Sequence, residues 1–187
     1  MQKIAEEFFP TLTGPLLPSD PEFKNRGDEF DVLIRGWTKY WNEIFQPGEP
    51  LDPCLVKALI ASESSFNPKP DNGIKGSDRA RGMMQITDGT RKILRDEEGE
   101  LKNHLVTLTD DDAYDPNLNI AAGIRWLFHK RERASAKLKR DATWMEAAFE
   151  FKSVRRNPRT RHEKKRFSVI RDRLKELYGR LSEGGTK

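Results

Sequence analysis

The stretch ALIASESSFNP, residues 58–68, carries a glutamate where a helical pattern calls for an apolar residue. Glu63 lies four residues after Leu59, three after Ile60 and seven after Val56, and positions so spaced share one helical face. An ionised carboxylate buried without a partner is costly, and the usual escape is to keep its proton. A carboxyl that stays neutral at the rim of a cleft is what a general acid requires. The same spacing also fits a helix that frays near Ser62 and leaves Glu63 in water. Other chemistries find less support. Cys54 is the sole cysteine, so neither a disulfide framework nor a cysteine-rich metal site can be built, and His104, His129 and His162 lie far apart without metal-ligand spacing. No cofactor and no metal are expected.

Several elements must position that carboxylate. Phe30, Leu33, Ile34, Trp37, Trp41, Ile44 and Phe45 recur at helical spacing and predict a helix closed by QPGEP. Asp52 before Pro53 is a start signal, a capping carboxylate ahead of a proline at the first helical position. The helix that follows should stop between Ser64 and Asn67, because Pro68 disfavours a helical conformation at Asn67. Asp115 and Pro116 repeat the start signal, with Ile120, Ile124, Leu127 and Phe128 turned inward. Asp141 is expected to cap a helix that aligns Trp144, Ala147, Ala148 and Phe151, and a last amphipathic helix presents Phe167, Ile170, Leu174, Leu177 and Leu181. Residues 87–114 read as a short helix followed by an irregular excursion. The sum is an all-α, mainly helical chain, with room for a small β-hairpin in 69–82. Residues 1–27, proline-rich from Pro10 onward, read as an extended lead-in, 28–181 as a single domain and 182–187 as a flexible tail.

Three blocks, LDPCLVKALIASESSFNP, ARGMMQIT and YDPNLNIAAGIRWL, resemble in order and spacing the catalytic domain of lytic transglycosylases of the soluble, lysozyme-like type, and also goose-type lysozymes. The resemblance rests on Glu-Ser at 63–64, Phe-Asn-Pro at 66–68, Gly-Met-Met-Gln at 82–85 and Asp-Pro-x-x-Asn-Ile at 115–120. It implies a lysozyme-like fold and cleavage of the MurNAc–GlcNAc β-1,4 bond of peptidoglycan glycan strands. Under it, Glu63 is the catalytic acid/base, Ser64 orients substrate or carboxyl, and Gln85 hydrogen-bonds glycan. Gly82 would let sugar approach the backbone, Met83 and Met84 would pack with Met84 on the cleft floor, and Asn119 would touch the site.

The chain departs from the family where an Ala-Tyr-Asn-Ala-Gly block is usual. EAAFEFKS stands there instead, so that Phe149 replaces the tyrosine and keeps an aromatic wall, and Glu150 replaces the asparagine on what spacing makes the solvent side. Two reactions stay open. A transglycosylase needs Glu63 alone and ends in a 1,6-anhydro ring, whereas a hydrolase commonly needs a second carboxylate, for which Asp71 or Asp78 are the candidates. A third reading is a non-catalytic wall-binding relative.

The sequence has 34 Lys and Arg against 30 Asp and Glu, a net charge of +4. Its basic excess lies in KSVRRNPRTRHEKKR, residues 152–166. That run suits anionic cell-envelope polymers. A nucleic-acid partner is disfavoured, because no recognition motif with interleaved aromatics accompanies the charge. No transmembrane segment and no signal-peptide pattern are visible. Action in the periplasm or cell wall would then need a phage or secretion route, a phage endolysin being the first expectation.

Overall fold

The structure, a computed structural model, describes residues 1–154 and 157–183. Arg155 and Arg156 of the basic run, and residues 184–187 of the expected tail, lie outside the described residues. Among those described, seven α-helices and one two-stranded antiparallel sheet form the fold. The helices are α1 (Gln2–Phe8), α2 (Asp31–Phe45), α3 (Pro53–Ser64), α4 (Asp88–Leu94), α5 (Pro116–Leu138), α6 (Trp144–Phe151) and α7 (Arg161–Glu183). The strands β1 (Ala80–Arg81) and β2 (Ile86–Thr87) pair Ala80 with Thr87 and Arg81 with Ile86.

Helix α3 is the centre of the molecule. Leu55, Val56, Lys57, Ala58, Leu59, Ile60 and Ala61 are buried in succession, so the helix is covered on all sides by α2, α6 and α7 rather than along a single stripe. Its start is the one the sequence predicts, since the Asp52 side chain accepts from the Cys54 N–H at 2.8 Å. It ends in two left-handed residues, Ser65 and Phe66, and Phe66 folds under to meet Phe23 edge-on. Burial all round leaves no room for an unpaired charge. Lys57, fully buried, accordingly meets Asp31 at 2.7 Å and Asp28 at 3.0 Å.

Helix α5 lies across α2 and α6. Two indoles fix the first crossing: Trp37 donates to the Asn117 side chain at 2.7 Å and Trp41 to the Ala121 carbonyl at 3.0 Å. Helix α7 lays Leu174, Leu177 and Leu181, all fully buried, against α3.

The structure corrects four local expectations. The stretch 1–27 is not simply extended: α1 opens it, short 3-10 turns follow at Phe9–Thr11 and Pro21–Phe23, and Ala5, Phe9 and Phe23 join the core. Pro10 and Pro21 stand at the start of those two turns, and Asp20 and Glu22 are held by Arg180 at 2.9 and 2.6 Å. The hairpin turns at 82–85, not within 69–82, and the earlier loop joins it through an isolated bridge between Asp71 and Arg81 rather than as a strand. Thr143, not Asp141, caps α6, because only from there can Glu146 at the third helical position complete a reciprocal capping box. Ile44 is 38% exposed, while the next residue, Phe45, packs against the core.

Candidate active site

Glu63 occupies the last turn of α3, with its side chain 16% exposed. The carboxylate is neither in open water nor unpartnered. Lys152, in the turn that leaves α6, brings Nζ to 2.8 Å from Oε1 and donates a second, longer bond of 3.3 Å to the Ser62 carbonyl. The expectation of a carboxyl without a partner is therefore corrected: an ion pair closes the end of α3. An ammonium is doubly suited to that place, facing a carboxylate and the negative end of the helix dipole. Ser64, beside it, turns its hydroxyl back onto the Ile60 carbonyl at 3.2 Å, finishing the helix rather than reaching outward.

The Gly-Met-Met-Gln block forms the turn between β1 and β2. Asn119, the fourth residue of α5 and fully buried, holds it in place. Its side chain accepts from the Met84 N–H at 2.8 Å and donates to the carbonyls of Ala113 (2.8 Å) and Arg81 (3.1 Å). Gly82, at φ +74°, permits that approach, because a Cβ there would lie 2.1 Å from the Ala113 oxygen and 2.3 Å from the Asn119 amide nitrogen. Met84 is fully buried, seated over Gly123, where a Cβ would come within 2.2 Å of its sulfur. The contact with sugar expected for Met84 and Asn119 is thus corrected: both are fully buried, and with the buried Gly82 they shape the turn from behind.

Gln85 is the member of that block that is half-exposed, at a left-handed φ of +50°. Its amide nitrogen donates to the carbonyls of Gly82 (3.0 Å) and Pro70 (3.3 Å), and the Gly82 N–H also reaches Pro70 at 3.1 Å. The loop that leaves Glu63 is in this way pinned to the Gln85 turn. No hydrogen bond joins Gln85 to Glu63 themselves.

Asp71 and Asp78 lie on that loop, both exposed. Asp71 is committed. Its Oδ2 accepts from Arg79 at 2.7 and 3.1 Å and from the Tyr114 hydroxyl at 2.9 Å, while Oδ1 accepts from the Gly73 N–H at 2.9 Å. The Arg79 bonds, then those from Gly73 and Tyr114, hold its carboxyl well below the usual carboxylate range. Asp78 sits in the short turn Gly76–Asp78, with only a 3.5 Å contact from Ser77 on its carboxylate.

Phe149 is half-buried and packs against the core. With Lys137, Leu138, Glu146, Glu150, Val154 and Arg171 it lines a cavity of about 900 Å³ between α5, α6 and α7. The Arg171 guanidinium lies 5.8 Å from its ring centre. Glu150 is tied to Lys137 of α5 and is not in contact with Glu63.

Sequence reasoning singled out Glu63 but assigned Lys152 to a basic run facing anionic polymers. Helical spacing held the missing signal, since Lys152 follows the buried Ala148 by four residues and so shares its inward face. Tyr114, which clamps Asp71, carried no such signal: the contact joins loops 43 residues apart. No group of three or more His, Cys, Asp or Glu side chains placed to hold a metal ion occurs among the described residues, and no described helix is long and apolar enough to cross a membrane.

A family model described as the transglycosylase SLT domain matches residues 42–149, more than half of the chain. The match takes in α3 with Glu63, the Gly82–Gln85 turn and Asn119, and it ends at Phe149. No solved structure matches the chain.

Proposed function

The chain belongs to the SLT transglycosylase family, and from that membership we propose that it cuts the MurNAc–GlcNAc β-1,4 bond of peptidoglycan with Glu63 as its single acid/base. Family membership makes it a lytic transglycosylase acting on peptidoglycan, which removes the non-catalytic wall-binding reading. In the proposed course, Glu63 in its protonated form donates to the glycosidic oxygen, and oxocarbenium-like charge develops at the muramyl C1. The substrate's own N-acetyl group stabilises that charge. The Glu63 carboxylate then takes the proton of the muramyl 6-hydroxyl, whose oxygen closes on C1 to give a 1,6-anhydro end. An internal hydroxyl competes well with water because it is already positioned; effective molarities for such closures reach about 10⁵ M or more.

The observation that carries this reading is that the half-buried carboxylate at the end of α3 faces an ammonium rather than a second carboxylate. A hydrolase of this kind commonly needs that second acid. Asp71 has its acceptors taken up by Arg79, Tyr114 and Gly73, and Glu150 is taken by Lys137; both facts favour the one-carboxylate course. Gln85, half-exposed on its pinned turn, is the residue we assign to hold the glycan, with Phe149 as a flanking aromatic. Arg159, Arg161, Lys164, Lys165 and Arg166, exposed around the start of α7, are assigned to attract anionic envelope polymers. The place of action is then the periplasm or the cell wall.

The test is clearing of a suspension of purified cell walls by the wild-type chain and by Glu63→Gln. The amide can neither donate the proton nor take it back, so clearing should fall by about 100-fold or more. A variant that clears walls at the wild-type rate would remove Glu63 from the chemistry.

A further inference from the structure

Lys152 lies beyond the stretch matched by the family model, and its placement is specific. It closes α6, where its N–H bonds the carbonyls of Ala148 and Glu150. Ser153 then takes a left-handed φ of +55° and turns the chain away. The lysine side chain runs back to α3, 12% exposed, against a Glu63 side chain 16% exposed. Nζ bonds both Glu63 Oε1 at 2.8 Å and the Ser62 carbonyl at 3.3 Å. The two groups stand 89 residues apart in sequence and join the two helices between which the carboxylate lies.

This pairing bears on a requirement of the reaction. A general acid must hold a proton when the sugar arrives, yet a carboxylate beside an ammonium does not. The ion pair and the neutral pair of carboxylic acid and amine contain the same protons and differ only in which end of the 2.8 Å contact one of them occupies. Water favours the charged form. A dry site penalises two charges heavily and two neutral groups little. A glycan strand laid over the end of α3 would remove the water that the pair still touches.

We propose that Lys152 is the positioning residue of Glu63 and also its proton store, an inference that rests on the reading of Glu63 as acid/base. In the free enzyme Nζ carries the proton and orients the carboxylate. When the glycan covers the pair, one N–H bond of Lys152 breaks and an O–H bond forms on Glu63 Oε1, leaving a neutral amine and a neutral acid. Glu63 gives that proton to the glycosidic oxygen as the C1–O bond breaks. The resulting carboxylate takes the 6-hydroxyl proton as the new C1–O6 bond forms. Departure of the product rehydrates the pair and returns the proton to Nζ. No proton is gained or lost over the cycle.

The experiment compares Lys152→Arg, Lys152→Met and Glu63→Gln with wild type, each confirmed as folded by circular dichroism, in steady-state kinetics on soluble glycan fragments from about pH 5 to pH 8. Arginine keeps the charge and can keep the contact, but a guanidinium does not release its proton in a protein. Lys152→Arg should therefore lose about 100-fold or more in kcat near pH 7, with KM within about threefold of wild type. Lys152→Met leaves Glu63 to take its proton from water, so its rate should climb as the pH falls toward 5 and exceed that of the arginine variant throughout. A purely structural clip predicts the reverse order. Lys152→Arg within about threefold of wild type, or Lys152→Met slower than Lys152→Arg at every pH, overturns the inference. Should Lys152→Met fail to fold, the arginine variant decides alone. A Glu63→Gln enzyme with wild-type kcat would instead overturn the reading of Glu63, whereas an inactive Glu63→Gln beside a fully active Lys152→Arg overturns only the role of Lys152.

Discussion

Asn119→Ala tests whether the Gly82–Gln85 turn is built from α5. The Asn119 amide is fully buried and makes three hydrogen bonds, one from the Met84 N–H and one to each of the Ala113 and Arg81 carbonyls. Truncation leaves all three backbone groups short of a partner where water does not reach. An orphaned buried group costs about 1–3 kcal/mol, and a carbonyl with a second lone pair lies near the lower end, so the expected loss is about 3–5 kcal/mol. That is a large share of a domain stability of about 5–15 kcal/mol. Urea unfolding followed by circular dichroism should show the loss as a lower midpoint with an unchanged slope. Asn119→Asp is the companion variant: it keeps the acceptor for Met84 but turns a carboxylate toward two carbonyl oxygens, and should be at least as destabilising. A loss below about 1 kcal/mol for Asn119→Ala, or an aspartate variant as stable as wild type, would refute the assignment of this side chain as the anchor of the turn.

Two further outcomes are expected. Hydrogen bonds from Arg140 outweigh partial burial and, with bonds from Thr143, bring the Glu146 carboxyl from 4.5 down to about 2. A carboxyl lower in the folded than in the unfolded chain adds stability above its unfolded value and loses it as pH falls through the folded one. Thermal unfolding temperature should thus decline between about pH 4.5 and pH 2, with a shallower decline in Glu146→Gln; equal slopes would show that the capping box contributes nothing through its charge. Burial, reinforced by Asp52, pushes the Cys54 thiol up to about 12, so the reactive thiolate is scarce in the folded protein. Reaction with an aromatic disulfide at pH 8 should be slow in buffer and fast in denaturant, and a rapid reaction in buffer would contradict that placement.

Much of the helical framework was legible because it is written in local signals. Asp52-Pro53 and Asp115-Pro116 mark helix starts that the structure reproduces, each aspartate accepting from the backbone at the first turn. The periodic apolar residues of α2, α5 and α7 face the core almost without exception, Ile44 being the outlier. What failed to show was everything set by tertiary contact. Helix α3 reads as a stripe but is buried all round, since α7 returns to it from more than 100 residues downstream. Asn119 and Met84 belong to the motif blocks, yet motif membership does not separate a residue that touches substrate from one that holds the motif in shape; only their complete burial does. Asp141 and Thr143 are both good caps, and the choice fell to the one with Glu146 three residues on. Glu63 was visible as an anomaly, but its partner was hidden by the basic run that contains it, where a buried lysine looks like any other.

The reaction itself is tested most directly by mass spectrometry of the muropeptides released from purified walls by the wild-type chain. One carboxyl working on an internal hydroxyl yields products that end in 1,6-anhydro-MurNAc, without uptake of oxygen from ¹⁸O-labelled water. Reducing ends carrying the label would mean that water is the nucleophile, and would contradict the account in which Glu63 acts alone.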